Sequence, residues 1–243
     1  MSFATRIAFS ALLTLPLAAP AADLIVLVDT GTDMPMARFE RYRLVDGMHK
    51  DIGQALASHL SRTPKFLALP RKRIVAALER GEADILCSYV PEWINGHFGW
   101  STPFIPIVEV LITVASAPRP ASLAELAGQP IGTVLGYSHP ELEEVLGSDF
   151  VREDGPTTDA NLRKLAAGRV QHAVTGKSFL EYRMKQGDLP LKLHPPLVVK
   201  TYMGQCAVSP RGHVSLDDVN RAIGQMTRDG TVAAILARYQ PSP

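Results

Sequence analysis

The chain has 243 residues, 46% of them apolar and 20% charged, and its 25 Lys and Arg residues nearly balance its 24 Asp and Glu residues. Nucleic acids and anionic membrane surfaces select for clustered basic residues, so this balance argues against both partners. The length fits one large domain or two small ones.

Residues 1–21 have the pattern of a secretory signal peptide. Arg6 precedes an apolar run at 7–17, and the small-residue sequence Ala-Pro-Ala follows at 19–21. The run is shorter than the ~20 apolar residues that a membrane-spanning helix requires. We therefore expect cleavage after Ala21 and a mature protein in the periplasm.

The following segment alternates short apolar runs with apolar residues at helical spacing. These patterns predict, in order, a strand at 24–29, a helix over 51–60, a strand at 65–69, a helix around 74–78 and a strand at 84–88. Gly81 is placed to end the second helix, since glycine adopts the left-handed conformation of a helix C-terminus at little cost. The β-α-β-α-β order predicts a parallel sheet covered by helices.

A similar unit follows after Pro-rich crossing segments, which suggests two lobes. Its predicted elements are a strand at 130–135, helices at 140–146 and 159–167, a strand at 170–175 and a helix at 178–185. The chain then closes with a strand at 202–209 and helices at 216–228 and 231–239, which are separated by Asp229 and Gly230.

Short phrases in a fixed order carry a resemblance to a known family. They are Gly-Met-His-Lys-Asp-Ile at 47–52, Gly-Glu-Ala-Asp-Ile at 81–85, Ser-Thr-Pro-Phe at 101–104 and the closing Asp-Gly-Thr at 229–231. In this order and spacing the chain resembles the extracytoplasmic solute-binding proteins of the polar amino acid ABC-transporter type, family 3. The similarity covers nearly the whole chain after residue 21.

The resemblance implies an α/β, two-lobed fold of the periplasmic-binding-protein-like type II. Each lobe would be a mainly parallel sheet flanked by helices, with lobe one at 22–109 plus 206–243, lobe two at 110–205, and hinge strands at 108–115 and 201–208. By the same resemblance, the lobes would close on a small molecule and deliver it to an inner-membrane ABC permease or sensor domain. We expect a monomer without cofactor or metal and without bond-breaking activity.

The two positions at which this family usually grips an amino acid are altered. Where relatives carry Pro-Glu-Arg, this chain has Pro-Glu-Trp at 91–93, and where an acid follows a glycine it has Lys177 after Gly176. A ligand ammonium beside Lys177 would place like charges together. We therefore expect a small polar or anionic ligand rather than an ordinary α-amino acid in the usual pose.

Four candidate ligand contacts lie in lobe one. Asp29 is placed at the cleft mouth by the resemblance, although a turn-forming Asp is the alternative. Arg71 offers a fork for a carboxylate or phosphate, or else is a solvated helix end. Tyr89 follows the third strand, where relatives contact the ligand. Trp93 offers a flat face for stacking, or packs its own short loop.

Three more candidates lie in lobe two. Tyr137 and Ser138 precede the helix that begins near Pro140, where free backbone N–H groups attract anions. Ser138 capping that helix is the alternative. Lys177 would meet an anionic or polar group of the ligand, or else is a solvated residue at the start of a helix.

Cys87 and Cys206 are the only cysteines, and an exported protein permits a disulfide. The implied architecture makes the third strand and the returning hinge strand neighbours within lobe one, so we predict that these residues are bonded. The alternative is two buried thiols. The seven histidines do not show metal-ligand spacing.

Two other functions stay open. The first is a lyase or dehydratase on the same scaffold, because some relatives, the cyclohexadienyl dehydratases, eliminate water and carbon dioxide from a cyclic acid. Such chemistry needs a positioned acid, for which Glu92 and Glu109 are the candidates. The second is a pair of lobes that only contacts other proteins.

Overall fold

The computed structural model describes residues 22–189 and 191–239, so the predicted signal peptide at 1–21 lies outside the described residues. Within these residues the chain forms eleven strands and seven helices. The strands are β1 (Asp23–Asp29), β2 (Arg38–Glu40), β3 (Arg43–Asp46), β4 (Thr63–Leu69), β5 (Ile85–Tyr89), β6 (Gly99–Trp100), β7 (Ile105–Thr113), β8 (Pro130–Val134), β9 (Val151–Gly155), β10 (His172–Gly176) and β11 (Leu197–Val208). The helices are α1 (Met48–His59), α2 (Arg71–Arg80), α3 (Pro140–Leu146), α4 (Thr158–Ala166), α5 (Lys177–Gln186), α6 (Leu216–Arg228) and α7 (Thr231–Tyr239).

One sheet runs through the described chain in the order β4-β1-β5-β11-β7-β10-β8-β9, with β6 beside β11 and β2-β3 forming a separate hairpin. β1 is parallel to β4 and β5, whereas β8 is parallel to β9 and β10. Between these parallel groups, β7 and β11 pair antiparallel from Ile105 opposite Gly204 to Leu111 opposite Leu197. The fold is therefore the two-lobed α/β type, with two parallel sheets joined through a pair of long strands.

Each lobe has its own hydrophobic core. In lobe one, formed by β1, β4 and β5 with the C-terminal part of β11, buried side chains pack α1, α6 and α7 on one face and α2 on the other. In lobe two, formed by β8, β9 and β10 with β7, they pack α4 and α5 on one face and α3 on the other. Fully buried members include Leu24, Ile52, Ile74 and Leu86 in lobe one and Leu111, Ile112, Leu126 and Ile131 in lobe two. The exact residues at which the lobes divide stay a prediction.

The predicted strands and helices are confirmed, with several differences in bounds. α1 and β7 each begin three residues earlier than predicted, and β6 was not predicted. β11 begins at Leu197, five residues before the predicted strand, because its first part pairs with β7. β10 begins two residues later than predicted. β9 and the β2-β3 hairpin were not predicted, since their few residues do not alternate clearly between apolar and polar.

The structure joins Cys87 of β5 to Cys206 of β11 by a disulfide, which confirms the predicted bond. The two residues are directly opposite in the antiparallel pair of β5 and β11. The bond therefore fastens the returning strand to lobe one. Over the described ranges, none of the helices has the length and apolar character needed to cross a bilayer.

Candidate ligand-binding cleft

A cavity of about 140 Å³ lies between the lobes, where four parallel strands end. Three strand ends line it, at Tyr89 of β5, Val134 of β8 and Gly176 of β10. The fourth strand, β1, ends at Asp29, which accepts a hydrogen bond from Tyr89. Sheets of this kind commonly bind ligands at the carboxyl ends of their strands. The fold therefore brings side chains from both lobes around one small cavity.

Arg71 forms the centre of a contact between the lobes. Its guanidinium carbon lies 4.7 Å from the ring centroid of Tyr89 in lobe one and 4.9 Å from that of Tyr137 in lobe two. Nη2 donates to the carbonyl oxygen of Trp93 at 2.8 Å, and Nη1 is 3.9 Å from Oδ2 of Asp29. Because the side chain is only 8% exposed, the alternative of a solvated helix end is wrong for Arg71.

Asp29 is a buried carboxylate that contacts this cluster. Its Oδ1 accepts the backbone N–H of Gly31 at 2.8 Å, and its Oδ2 accepts the hydroxyl of Tyr89 at 3.1 Å. Burial raises the pKa of Asp29, although the bond from Gly31 and the charge of Arg71 oppose that shift. Burial also raises the pKa of Tyr89 and Tyr137, so both hydroxyls stay neutral. Asp29 thus forms the turn given as its alternative role, and it also contacts Arg71 and Tyr89.

Trp93 and Ser138 meet across the cleft. The Oγ of Ser138 donates to the carbonyl oxygen of Trp93 at 3.4 Å. The Trp93 indole packs edge-on against Tyr89 and Tyr202, with ring centroids 6.1 Å and 5.1 Å away. Ser138 does not cap α3, because His139 occupies that position. The alternative of a capping Ser138 is therefore wrong.

Several polar side chains on the cavity wall have buried atoms without a hydrogen-bond partner among the described residues. These atoms are both ring nitrogens of His49, Oγ of Ser88, Nε1 of Trp93, Oε2 of Glu109, the hydroxyl oxygen of Tyr137, Nε2 of His139 and Oγ1 of Thr175. Five of the seven residues are less than 9% exposed, and Trp93 and Tyr137 are partly buried. Native proteins leave few buried polar groups unsatisfied, so such a concentration calls for an explanation.

Glu109 and His139 form a buried pair on this wall. Nδ1 of His139 is 2.8 Å from Oε1 of Glu109, and their side chains are 5% and 10% exposed. Glu109 lies on β7 directly opposite Gly176 of β10. His139 immediately precedes α3. The pair therefore joins the hinge strand to the turn that carries Tyr137 and Ser138.

Asp33 supplies a third link between the lobes. Its Oδ2 accepts the backbone N–H of Asp159 at 2.8 Å, in the first turn of α4. A carboxylate at this place is favoured by the free N–H groups and the dipole of the helix. Burial raises the pKa of Asp33, and the bond to Asp159 opposes that shift.

Lys177 lies outside the cavity wall. It is the first residue of α5, its side chain is about half exposed, and its Nζ is 2.5 Å from Oε1 of Glu181. The next two residues, Ser178 and Phe179, line the cavity instead. A contact between Lys177 and a ligand stays a prediction. Because Lys177 does not line the cavity, it no longer supports the expectation of an anionic ligand.

The other predicted residues cluster together. Arg71, Tyr89, Trp93, Tyr137 and Ser138 line the cavity, and Asp29 contacts two of them. Their ligand contacts stay predictions.

Sequence reasoning did not select His49, Ser88, His139 or Thr175, and it treated Glu109 only as a possible catalytic acid. A charged residue inside the apolar run of β7 is the signal that singles out Glu109, because a buried carboxylate needs a partner.

Known proteins resemble this chain over most of its length. The family model of the bacterial extracellular solute-binding proteins, family 3, matches residues 25–242. The probable amino-acid-binding protein YxeM of Bacillus subtilis (strain 168) is 22% identical over 215 residues, which is 86% of this chain and 81% of that protein.

Solved structures are similar as well. One is an ancestral arginine-binding protein bound to arginine, with a TM-score of 0.74 and 20% identity over 90% of this chain and 98% of the other. Another is the ancestral amino acid-binding protein AncCDT-1, a precursor of cyclohexadienyl dehydratase, with a TM-score of 0.74 and 18% identity over 90% and 96%. At these identities the likeness to the solved structures establishes the fold.

Proposed function

The chain belongs to the bacterial extracellular solute-binding proteins of family 3, and from that premise we propose that it is a periplasmic receptor for one small polar molecule. The molecule would be held between the two lobes and released to an inner-membrane ABC permease or presented to a sensor. Residues 1–21 would direct export. Binding, rather than catalysis, is the proposed task.

The unpartnered groups on the cavity wall carry this proposal. Leaving a buried donor or acceptor without a partner costs about 1–3 kcal/mol. Eight such atoms from both lobes belong to residues that line one cavity. A polar guest that satisfies them would therefore stabilise the closed arrangement of the lobes. An apolar ligand would leave these polar atoms without hydrogen-bond partners and would not recover that free energy.

Contacts across the cleft support a hinged closing motion. Arg71 with Tyr137, Ser138 with Trp93, and Asp33 with the first turn of α4 all join the lobes. The paired strands β7 and β11 connect the lobes and are placed to act as the hinge. A ligand that contacts both lobes binds the closed form better than the open form and so shifts the population toward closure.

Native mass spectrometry of the protein purified from the periplasm of its host tests the proposal. We expect a non-covalent adduct of small mass that is lost after unfolding and refolding. Adding back the released small-molecule fraction should raise the melting temperature. The absence of any adduct, together with no shift from a small-molecule extract of the host, would contradict a receptor function.

A matched pair of variants localises the binding. Thr175→Val removes an unpartnered hydroxyl from the cavity wall with little change in shape, so it should weaken binding of the adduct about five-fold, the equivalent of about 1 kcal/mol. The same change should leave the empty protein as stable as the parent, or more stable. Thr102→Val, at an exposed position, should affect neither quantity.

A dehydratase is the second candidate, because the buried Glu109–His139 pair lies on the cavity wall and a dehydratase precursor shares the fold. A carboxylate that orients an imidazole is a common arrangement for proton transfer. Incubation with cyclohexadienyl carboxylic acids, followed by product analysis, separates the two functions. The receptor proposal expects no loss of water or carbon dioxide, and turnover that disappears in Glu109→Gln would establish the enzyme instead.

A further inference from the structure

Building on the proposed receptor function, we infer that Glu109 and His139 form a subsite for a protonated amine. The ligand class that follows is small amines without a carboxylate group.

The hydrogen bond between the two side chains determines which of their atoms remain free to accept a hydrogen bond from a ligand. In the inferred subsite Glu109 is ionised and His139 is neutral, so the Nδ1 of His139 donates to Oε1 of Glu109. A neutral imidazole that donates at Nδ1 carries a lone pair at Nε2. The unpartnered Oε2 of Glu109 and Nε2 of His139 are then two acceptors on the same wall. A group with several N–H donors satisfies both at once.

The charge of Glu109 favours a cationic donor over a neutral one. Within residues 22–189 and 191–239, the only basic side chain within 4 Å of its carboxylate is His139. Burying a carboxylate without a cationic partner is costly. An ammonium or amidinium group supplies both the missing positive charge and the missing donors, whereas a hydroxyl supplies only one donor.

Arg71 is poorly placed to hold a ligand carboxylate. Among the described residues it is the only Lys or Arg side chain that lines the cavity. Two tyrosine rings cover its faces, Trp93 accepts from Nη2, and Asp29 lies beside Nη1. Binding a carboxylate in the bidentate mode requires two free N–H groups on one edge. A ligand carboxylate would also meet the acidic groups of Asp33 and Glu109.

Matched pairs of compounds test the inference on the exported protein by isothermal titration. The pairs are histamine with histidine, tyramine with tyrosine, agmatine with arginine, and putrescine with ornithine. In each pair the amine lacks the carboxylate that the amino acid carries. We expect the amine of at least one pair to bind, with an affinity at least ten-fold higher than that of its amino acid.

Two variants and a control assign the binding to the subsite. Glu109→Gln keeps the shape but removes the charge, and it should weaken amine binding at least 30-fold. His139→Phe removes the second acceptor and should weaken it at least three-fold, which keeps a test available if Glu109→Gln does not fold. Glu144→Gln, on the exposed side of α3, should bind the amine as tightly as the parent.

Each outcome separates the inference from the receptor proposal. An amino acid that binds more tightly than its amine, or an amine that binds Glu109→Gln as tightly as the parent, overturns the inference and leaves the receptor standing. If no compound of the panel binds, the mass of the co-purified adduct decides. An adduct without an amine overturns the inference alone, and an adduct that is an amine without a carboxylate supports it. No adduct, together with no shift of the melting temperature by a small-molecule extract of the host, overturns both proposals.

Discussion

His49 is a buried imidazole in the first turn of α1 with an unusual environment. It is 5% exposed, and within the described chain neither ring nitrogen has a hydrogen-bond partner. Burial favours the neutral ring and lowers the pKa of His49 to about 4. In an unfolded chain the pKa of histidine is about 6.5. Between these values the unfolded chain binds a proton at this residue and the folded protein does not.

We expect this difference to make the protein less stable in acid. The contribution of His49 is complete above a pH of about 6.5 and is lost as the pH falls toward about 4, with a loss of about 2 kcal/mol by pH 5. His49→Gln should remove this part of the pH dependence, which urea unfolding at pH 7 and pH 5 measures. His97→Gln, at a side chain that is 97% exposed, should retain the parent's pH dependence. The same loss in His49→Gln as in the parent would contradict the assignment.

Most of the cavity-lining residues predicted from the sequence share two features, a large or charged side chain and a position beside the end of a strand or helix. Arg71, Tyr89 and Trp93 carry large or charged side chains beside predicted strand and helix ends, and resemblance to a family located them. His49 and Thr175 were missed because their surroundings decide their role. A histidine on a helix or a threonine at a strand end is usually solvated or bonded, and only tertiary packing leaves these two buried and unpartnered.

At the scale of elements, α2 ends as its sequence predicts. Gly81 adopts φ +75° directly after the last helical residue, and its N–H bonds the carbonyl of Leu78. A Cβ at this position would lie 2.6 Å from the carbonyl oxygen of Arg211. Gly187 ends α5 in the same conformation, with φ +69°, but a Cβ there would have no neighbour within 4 Å among the described residues.

These two glycines separate backbone strain from steric contact. Gly187→Ala should lower the free energy of unfolding by about 1 kcal/mol, because alanine disfavours positive φ. Gly81→Ala carries the same strain and also displaces the backbone at Arg211, so we expect a loss of about 2–3 kcal/mol. Chemical denaturation of both variants beside the parent checks the difference. Equal losses would show that the contact with Arg211 relaxes without cost.

The regular elements were predictable because apolar spacing decides them. Ile74, Ala77 and Leu78 place one apolar stripe on α2, and all three are buried. β9 was not predictable in this way, since its sequence Val-Arg-Glu-Asp-Gly contains a single strongly apolar residue. It forms because the edge of β8 offers backbone partners from Pro130 to Val134. Pairing between distant segments, rather than the local pattern, creates this strand.

At the scale of the whole molecule, the disulfide encloses nearly half of the chain. Cys87 and Cys206 are 119 residues apart, and all of lobe two lies between them. Cross-linking a span of this length restricts the unfolded chain by about 4–5 kcal/mol in the loop-entropy treatment. We expect the double variant Cys87→Ala/Cys206→Ala to lose stability of this order in guanidinium denaturation. Reduction of the parent with dithiothreitol should reproduce the effect, and a loss below about 1 kcal/mol would contradict it.

In the proposed hinged motion, closure of the lobes depends on contacts between them, and the bond from Asp33 to α4 is the simplest to remove. A hydrogen bond to a charged group contributes about 1.5–3 kcal/mol, and about 1.4 kcal/mol changes a population ratio ten-fold. Asp33→Ala should therefore favour the open form by at least ten-fold without disturbing either core. Asp217→Ala, in the first turn of the exposed face of α6, removes an equal charge and should leave closure unchanged.

Small-angle scattering of the ligand-free protein measures this shift, because an open pair of lobes has a larger radius of gyration than a closed pair. We expect a larger radius for Asp33→Ala than for the parent and for Asp217→Ala. Asp33→Asn retains an oxygen acceptor for the N–H of Asp159 and should fall between them. If all four proteins scatter alike, the bond from Asp33 does not govern closure, and the contact of Arg71 with its two tyrosine rings is the next one to remove.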